Sequence, residues 1–247
     1  RDLRMSRGLG DVYKRQAIEI AKLLEKAGVN AILADVGIYD SFYHACPPGY
    51  MPKGHALDLY AQVKEQVGIP VLARSRMGDP DLCLHAVESG KVDGVVLARP
   101  ALADPYFPRK IEMGIPEKIR PCIGCNVGCY GNMVERGIAG GCAVNPRATR
   151  ELNTRPRKAV NPRKIAVIGG GPAGMQAAIT AAECGHTVEL FEKNCALGGE
   201  VLAAGADSMK VDVRRYKDWL IGELRDNKVP VPVSYTHLRA HETCADL

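Results

Sequence analysis

The chain has no run of 18 apolar residues, so nothing in it reads as a membrane-spanning helix. It has no Lys/Arg run interleaved with aromatic side chains. Its net charge is only +5 over 247 residues, which argues against a nucleic-acid partner. It lacks the two separate C-x2-C knuckles that usually close a zinc tetrahedron, although it holds nine cysteines. Beside nucleotide-type glycine motifs, those cysteines fit a reduced, cytoplasmic inventory better than a disulfide scaffold. What is present is a globular composition, 46% hydrophobic and 25% charged.

The two ends read differently from the rest. Ser6–Gln16 (SRGLGDVYKRQ) and Val233–Thr243 (VSYTHLRAHET) can be written as translations of one DNA stretch and of its reverse complement shifted by one frame. This pattern is that of a sequencing-library adapter. Residues 1–16 and 233–247 are therefore expected to be adapter-derived and to lie outside the natural fold. These tails contribute a net +2 of the +5, leaving +3 on the 216 residues between them.

From residue 17 to 113, helical and strand-like periods alternate. Ala17–Gly28, His55–Val67 and Pro80–Gly90 carry apolar residues at helical spacing, the last with Asp79 as its N-cap. Asn30–Gly37, Ile69–Ser75 and Val92–Pro100 are short apolar runs. This alternation predicts parallel β/α units with buried strands. Arg76 and Arg99 follow successive strands, with Gly78 and Ala98 beside them. Strand C-terminal ends form the active face of a β/α barrel, and two arginines there suit a phosphate.

Residues 114–153 carry the cysteine segment. Cys122, Cys125, Cys129 and Cys142 are spaced C-x2-C-x3-C-x12-C. Three thiols within eight residues and a later fourth suit a [4Fe–4S] cubane better than zinc or a disulfide pair. The intervening glycines let the backbone bend around an inorganic core. Residues 154–163, rich in Pro, Lys and Arg, then read as a linker.

From 164 to 232 the chain opens with KIAVIGGGPAGMQAAITAAECGHTVELFEK. A strand precedes Gly169, Gly171 and Gly174, an alanine-rich helix follows, and Glu192 ends a second strand 18 residues past Gly174. In that context the glycines serve a tight turn, the approach of a pyrophosphate and close helix–strand packing. The pyrophosphate would sit at the helix N-terminus, where the dipole is positive. Glu192 is placed to accept from the ribose hydroxyls, and its charge disfavours NADP at this position. Gly198–Gly199 forms a second glycine turn beside the loop.

Taken in order, RMGDP (76–80), LARPALADP (97–105), CIGCNVGC (122–129), CAVNPR (142–147) and GGGPAG (169–174) resemble the iron–sulfur flavoenzymes of the old yellow enzyme superfamily. That group includes NADH:flavin oxidoreductases, 2,4-dienoyl-CoA reductase, 2-enoate reductase and trimethylamine dehydrogenase. The resemblance spans nearly all of residues 17–232. It implies an α/β chain holding the C-terminal part of a TIM (β/α)8 barrel, a [4Fe–4S] segment and the start of a Rossmann-like FAD domain. It implies that Arg76, Ala98 and Arg99 contact the phosphate of FMN. It implies that Ala173, Glu192 and Gly199 contact FAD, beside Gly169, Gly171 and Gly174, and that the four cysteines ligate the cluster.

The resemblance further implies an NAD(P)H-dependent oxidoreductase that reduces an activated alkene, an enoate or enoyl-CoA. Electrons would pass from NAD(P)H to FAD, then the cluster, then FMN. The partners are then a small-molecule substrate and NAD(P)H, with no nucleic acid and no membrane, and the full-length protein is open to oligomerisation. Dienoyl-CoA reductases use a tyrosine and a histidine as proton donors. Here the stretch expected to carry the histidine, residues 37–54, does not align cleanly, and Tyr39, Tyr43 and His44 are the candidates. An amine dehydrogenase of the same architecture is the alternative enzyme, and a nucleotide-binding module with a structural zinc the alternative of another class. With only about three barrel strands, the chain by itself is expected to be inactive.

Overall fold

The computed structural model describes residues 3–37 and 41–234. It divides into two compact units, Arg1–Pro105 with Gly124–Asn126, and Tyr106–Ile123 with Val127–Leu247. Residues 106–123 and 154–163 lie within the second unit.

In the first unit the order is α1 (Leu3–Lys26), β1 (Ile32–Ala34), α2 (Phe42–Ala45), α3 (Leu57–Lys64), β2 (Val71–Ala73), α4 (Pro80–Glu88), β3 (Gly94–Val95) and α5 (Arg99–Ala103). Helix α1 begins at Leu3, inside the stretch expected to lie outside the fold. The strands pair in parallel, β1–β2–β3, with Ile32 opposite Val71 and Leu72 opposite Gly94. They are shorter than their apolar runs, yet Val96 N still donates to Ala73 O at 2.8 Å beyond the end of β3. Val71, Ala73, Met77, Ala86, Val92 and Tyr60 form a buried core between sheet and helices. Asp79 does stand at the N-cap of α4, with Pro80 starting the helix, but its carboxylate pairs with Lys53 at 2.9 Å and makes no cap bond.

In the second unit the order is α6 (Phe107–Glu112), a 3-10 turn at Pro116–Lys118, a π-helix at Val127–Glu135, α7 (Glu151–Thr154), β4 (Lys164–Ile168), α8 (Pro172–Glu183), β5 (Thr187–Phe191), α9 (Glu200–Ala204) and α10 (Val211–Asp226). Strands β4 and β5 pair in parallel across five residues, Lys164 opposite Thr187 through Ile168 opposite Phe191. Helix α8 connects them, as a β-α-β unit requires. Beyond α10, Leu190 N and Glu192 N donate to Pro230 O and Pro232 O, so residues 230–232 run along the far edge of β5. Met175, Ala178, Ile179, Val188, Leu190, Leu220 and Leu224 are buried. They join α8, α10 and β5 in one core. Burial of each such side chain stabilises by about 1.5–3 kcal/mol before the entropy cost of ordering. Among the described residues no helix is long and apolar enough to cross a membrane.

Candidate functional site: a glycine cradle and a cysteine loop

At the end of β4 the chain turns through Gly169, whose φ of +101° lies in the left-handed region that favours glycine. Gly171 caps α8 with extended backbone, and a Cβ there would meet no heavy atom of the chain within 4 Å. Gly174 is the opposite case. A Cβ on it would sit 2.0 Å from the Gly169 carbonyl oxygen, so only glycine lets the first turn of α8 close against the loop. The cradle is thus sealed on its helix side and open at Gly171.

Glu192 lies at the end of β5, 5% exposed. Its carboxylate accepts from Gly170 N at 2.6 Å and from Asn194 N at 2.8 Å. The Asn194 amide first, then burial acting the other way, then the Gly170 amide leave its pKa below the usual carboxylate range. The sequence expectation gave both oxygens to ribose. The structure shows each already holding the loop, so any ribose contact uses remaining lone pairs. Gly198 N donates to Gly170 O at 2.9 Å. Gly199 then stands over Gly171, its would-be Cβ 3.2 Å from the Gly171 Cα. Ala173 is exposed in the first turn of α8. These residues fit a dinucleotide: the loop, the helix start and the second glycine turn converge, with open space at Gly169 and Gly171 on the side from which a pyrophosphate would approach.

In the cysteine segment, Cys125 belongs to the first unit and Cys122, Cys129 and Cys142 to the second. Cys125 is exposed and stands between two left-handed residues, Gly124 (φ +63°) and Asn126 (φ +58°). A Cβ on Gly124 would come within 2.8 Å of Gly49, and Gly49 N donates to Gly124 O at 2.9 Å. Cys129 lies on the π-helix, a form frequent at functional sites. Gly141 N donates to Gly128 O at 2.7 Å, and a Cβ on Gly128 would meet Cys142 N at 3.1 Å. Cys129 and Cys142, with twelve residues between them in the chain, are thereby neighbours of one close backbone crossing. None of the eight described cysteines is in a disulfide. Among the described residues no three His, Cys, Asp or Glu side chains converge on a single metal ion. Four thiols and no other donor are the chemistry that a cubane asks for.

At the strand ends of the first unit, Ser75 (φ +73°) and Arg76 (φ +56°) hold left-handed backbone that costs about 1–3 kcal/mol each. Arg76 Nη1 donates to Pro48 O and Arg99 Nη1 to Pro47 O, both at 2.7 Å. The two guanidinium groups therefore converge on adjacent carbonyls. Arg99 also donates to Asn126 Oδ1 at 2.6 Å, and Asn126 Nδ2 donates to Cys46 O at 2.9 Å. A Cβ on Gly78 would meet Pro100 Cγ at 2.8 Å, so glycine brings the loop after β2 against α5, which Ala98 caps. Each guanidinium has five N–H donors, so these carbonyl bonds alone do not exhaust its hydrogen-bonding capacity.

Of the proton-donor candidates, Tyr39 lies outside the described residues. Tyr43 and His44 sit on α2 with ring centroids 4.4 Å apart. His44 stacks at 5.6 Å on His55, a residue the sequence did not single out. Both histidines line a cavity of about 370 Å³ with Asp35, Ser41 and Tyr60. Neither His55 ring nitrogen finds a partner in normal hydrogen-bond geometry among the described residues. Burial first, then the charges of His44 and Arg76, push its pKa below the usual histidine range. Along the strand ends Tyr60 donates to Ser75 at 3.3 Å, Ser75 to Asp35 at 3.5 Å, and Asp35 pairs with Arg74 at 3.0 Å. No sequence signal pairs His55 with His44, because their approach depends on how α2 and α3 pack.

The chain is similar to known proteins over most of its length. The family model for FAD dependent oxidoreductases matches residues 164–227. The chain is 41% identical over 219 residues to a cinnamate reductase from Clostridium sporogenes, covering 89% of this chain and 33% of that protein. It is 40% identical to an NADH oxidase from Thermoanaerobacter brockii, covering 83% and 32%. Among solved structures, 2-naphthoyl-CoA reductase superposes with a TM-score of 0.82 at 32% identity, over 88% of this chain and 33% of that one. The chain spans about a third of the length of each. Over that third it is a relative of the flavin oxidoreductases of the old yellow enzyme superfamily.

Proposed function

We propose that the chain carries three parts of an NAD(P)H-dependent oxidoreductase that reduces an activated alkene. These are the phosphate-binding end of an FMN barrel over 17–113, a [4Fe–4S] segment over 114–153 and the start of an FAD domain over 164–232. The observation that carries the reading is the cradle at β4, closed at Gly174 and open at Gly171, with Glu192 locked beneath it. Likeness to a cinnamate reductase and to a CoA-thioester reductase supports an alkene conjugated to a carbonyl as the substrate class.

When bound, FAD, the cluster and FMN would supply hydride and single-electron chemistry. The chain's own residues have separable tasks. Gly171 leaves room for the pyrophosphate, and Glu192 fixes the loop and offers an anionic edge to the ribose. Arg76 and Arg99 supply two fixed positive charges for the FMN phosphate. Cys122, Cys125, Cys129 and Cys142 supply four thiolates. Saturating an alkene also needs a proton at the α-carbon, and Tyr43 or His44 delivers it from α2, where His44 lines the cavity that His55 shares.

The test is anaerobic turnover of the full-length protein with NADH and cinnamate, followed by product analysis. Saturated acid formed in step with NADH oxidation supports the proposal. Conjugated alkenes left untouched with NADH, together with demethylation of an amine once an artificial electron acceptor replaces NADH, would replace it with the amine-dehydrogenase reading.

A further inference from the structure

Arg120 precedes Cys122 by two residues, so their Cα atoms lie within about 7 Å. It is not a surface arginine on a loose loop. Its guanidinium carbon lies 4.4 Å over the centre of the Trp219 ring. Trp219 is 8% exposed, and its indole Nε1 donates to Lys118 O at 3.0 Å. The indole is thereby bound to the same segment that delivers Arg120. Tyr216, one turn earlier on α10, stacks on Trp219 at 6.2 Å with 12° between the rings. Lys118 pairs with Asp226 at the end of α10. The segment 116–120 is thus held to α10 by a charge pair, a hydrogen bond and a cation–π contact within the second unit.

Tyr216 is 7% exposed, so both rings of the stack are buried. Arg120 lies next to Cys122 along the chain. Cation–π stacking holds a guanidinium firmly where a lysine ammonium would wander, and arginine remains charged at any working pH.

We infer that Arg120, held by Trp219, is a positioning residue that places a permanent positive charge beside the cluster and raises its reduction potential. The inference rests on the [4Fe–4S] reading above. Reduction adds one negative charge to an already anionic centre. A nearby cation stabilises the reduced form more than the oxidised one. At about 10 Å and an effective dielectric of about 20, one unit charge changes a one-electron equilibrium by about tenfold.

The experiment is redox potentiometry followed by EPR on protein purified anaerobically, with iron analysis on each sample. Arg120→Gln should keep wild-type iron content and lower the reduction equilibrium constant about tenfold, which is about 59 mV for a one-electron couple. Arg120→Lys should recover most of that shift, because the charge returns without its fork. Trp219→Leu keeps the charge but removes its platform, and should shift the potential the same way by less. This variant decides the matter should Arg120→Gln fail to fold. Wild-type potential at wild-type iron content in Arg120→Gln, or in Trp219→Leu where only that variant folds, would overturn the inference while leaving the cluster intact. Wild-type protein without iron would overturn the cluster reading and this inference with it.

Discussion

Alanine at Gly174 and alanine at Gly171 separate the two jobs of the glycine loop. At Gly174 the new Cβ would lie 2.0 Å from the Gly169 oxygen and 3.1 Å from its carbonyl carbon. An ordinary carbon–oxygen contact needs about 3.3 Å or more, so the loop or the first turn of α8 must move by about 1 Å. Gly169 cannot readily absorb that movement, because its own φ of +101° is already special. Overpacking of this kind costs about 1–3 kcal/mol. At Gly171 the backbone is ordinary (φ −72°, ψ 174°) and the Cβ enters empty space. The stability of the flavin-free protein should then change by no more than about 0.5 kcal/mol. That same methyl occupies the approach of the pyrophosphate, so flavin retention should fall in both variants. Trp219, the only tryptophan, sits on α10 in the same unit and reports its unfolding in urea. Flavin content is read after extensive dialysis. The reasoning fails if Gly174→Ala unfolds like wild type, or if Gly171→Ala keeps wild-type flavin content.

Glu192→Gln replaces two acceptors by one acceptor and one donor, so one backbone N–H faces a side-chain N–H. The expected loss is about 1.5–3 kcal/mol, measured by urea unfolding at neutral pH. The folded carboxylate titrates below its unfolded value, so this stabilisation is complete above the ordinary range of about pH 4.3 and is lost as pH falls through the folded pKa. A wild-type advantage over Glu192→Gln that persists undiminished in strong acid would contradict this. In the full-length protein Cys129→Ala should lose the broad absorbance at about 400 nm and block FMN reduction by NADH while FAD is still reduced. Normal FMN reduction in stopped-flow traces would count against the relay. Tyr43→Phe combined with His44→Asn should lower alkene reduction by about 10²–10⁴-fold with flavin reduction by NADH unchanged. An unchanged turnover number would remove both residues from proton delivery.

The β4–α8–β5 unit was legible because its signals are local. Three glycines, a helix rich in alanine and an acid at a strand end all fall within thirty residues, and they fold as one β-α-β unit. The strand-end arginines were legible as a pair, since each simply follows an apolar run. What stayed hidden depends on contacts between distant segments. Gly49 against Gly124, His44 against His55 and Arg120 on Trp219 have no spacing rule, because packing alone brings them together. Glu192 was legible as an acid at a strand end but not as the clasp of its own loop. Its partner Asn194 looked like any turn residue. The apolar runs overstated the strands, since hydrophobic residues continue past the last paired position at both β1 and β3.

The four-thiol centre is the claim on which the electron route depends, and metal analysis tests it most directly. Anaerobically purified protein should contain about four irons and about four acid-labile sulfides per chain, with a rhombic EPR signal on one-electron reduction. A single tightly bound zinc, no labile sulfide and no visible absorbance beyond flavin would contradict the account.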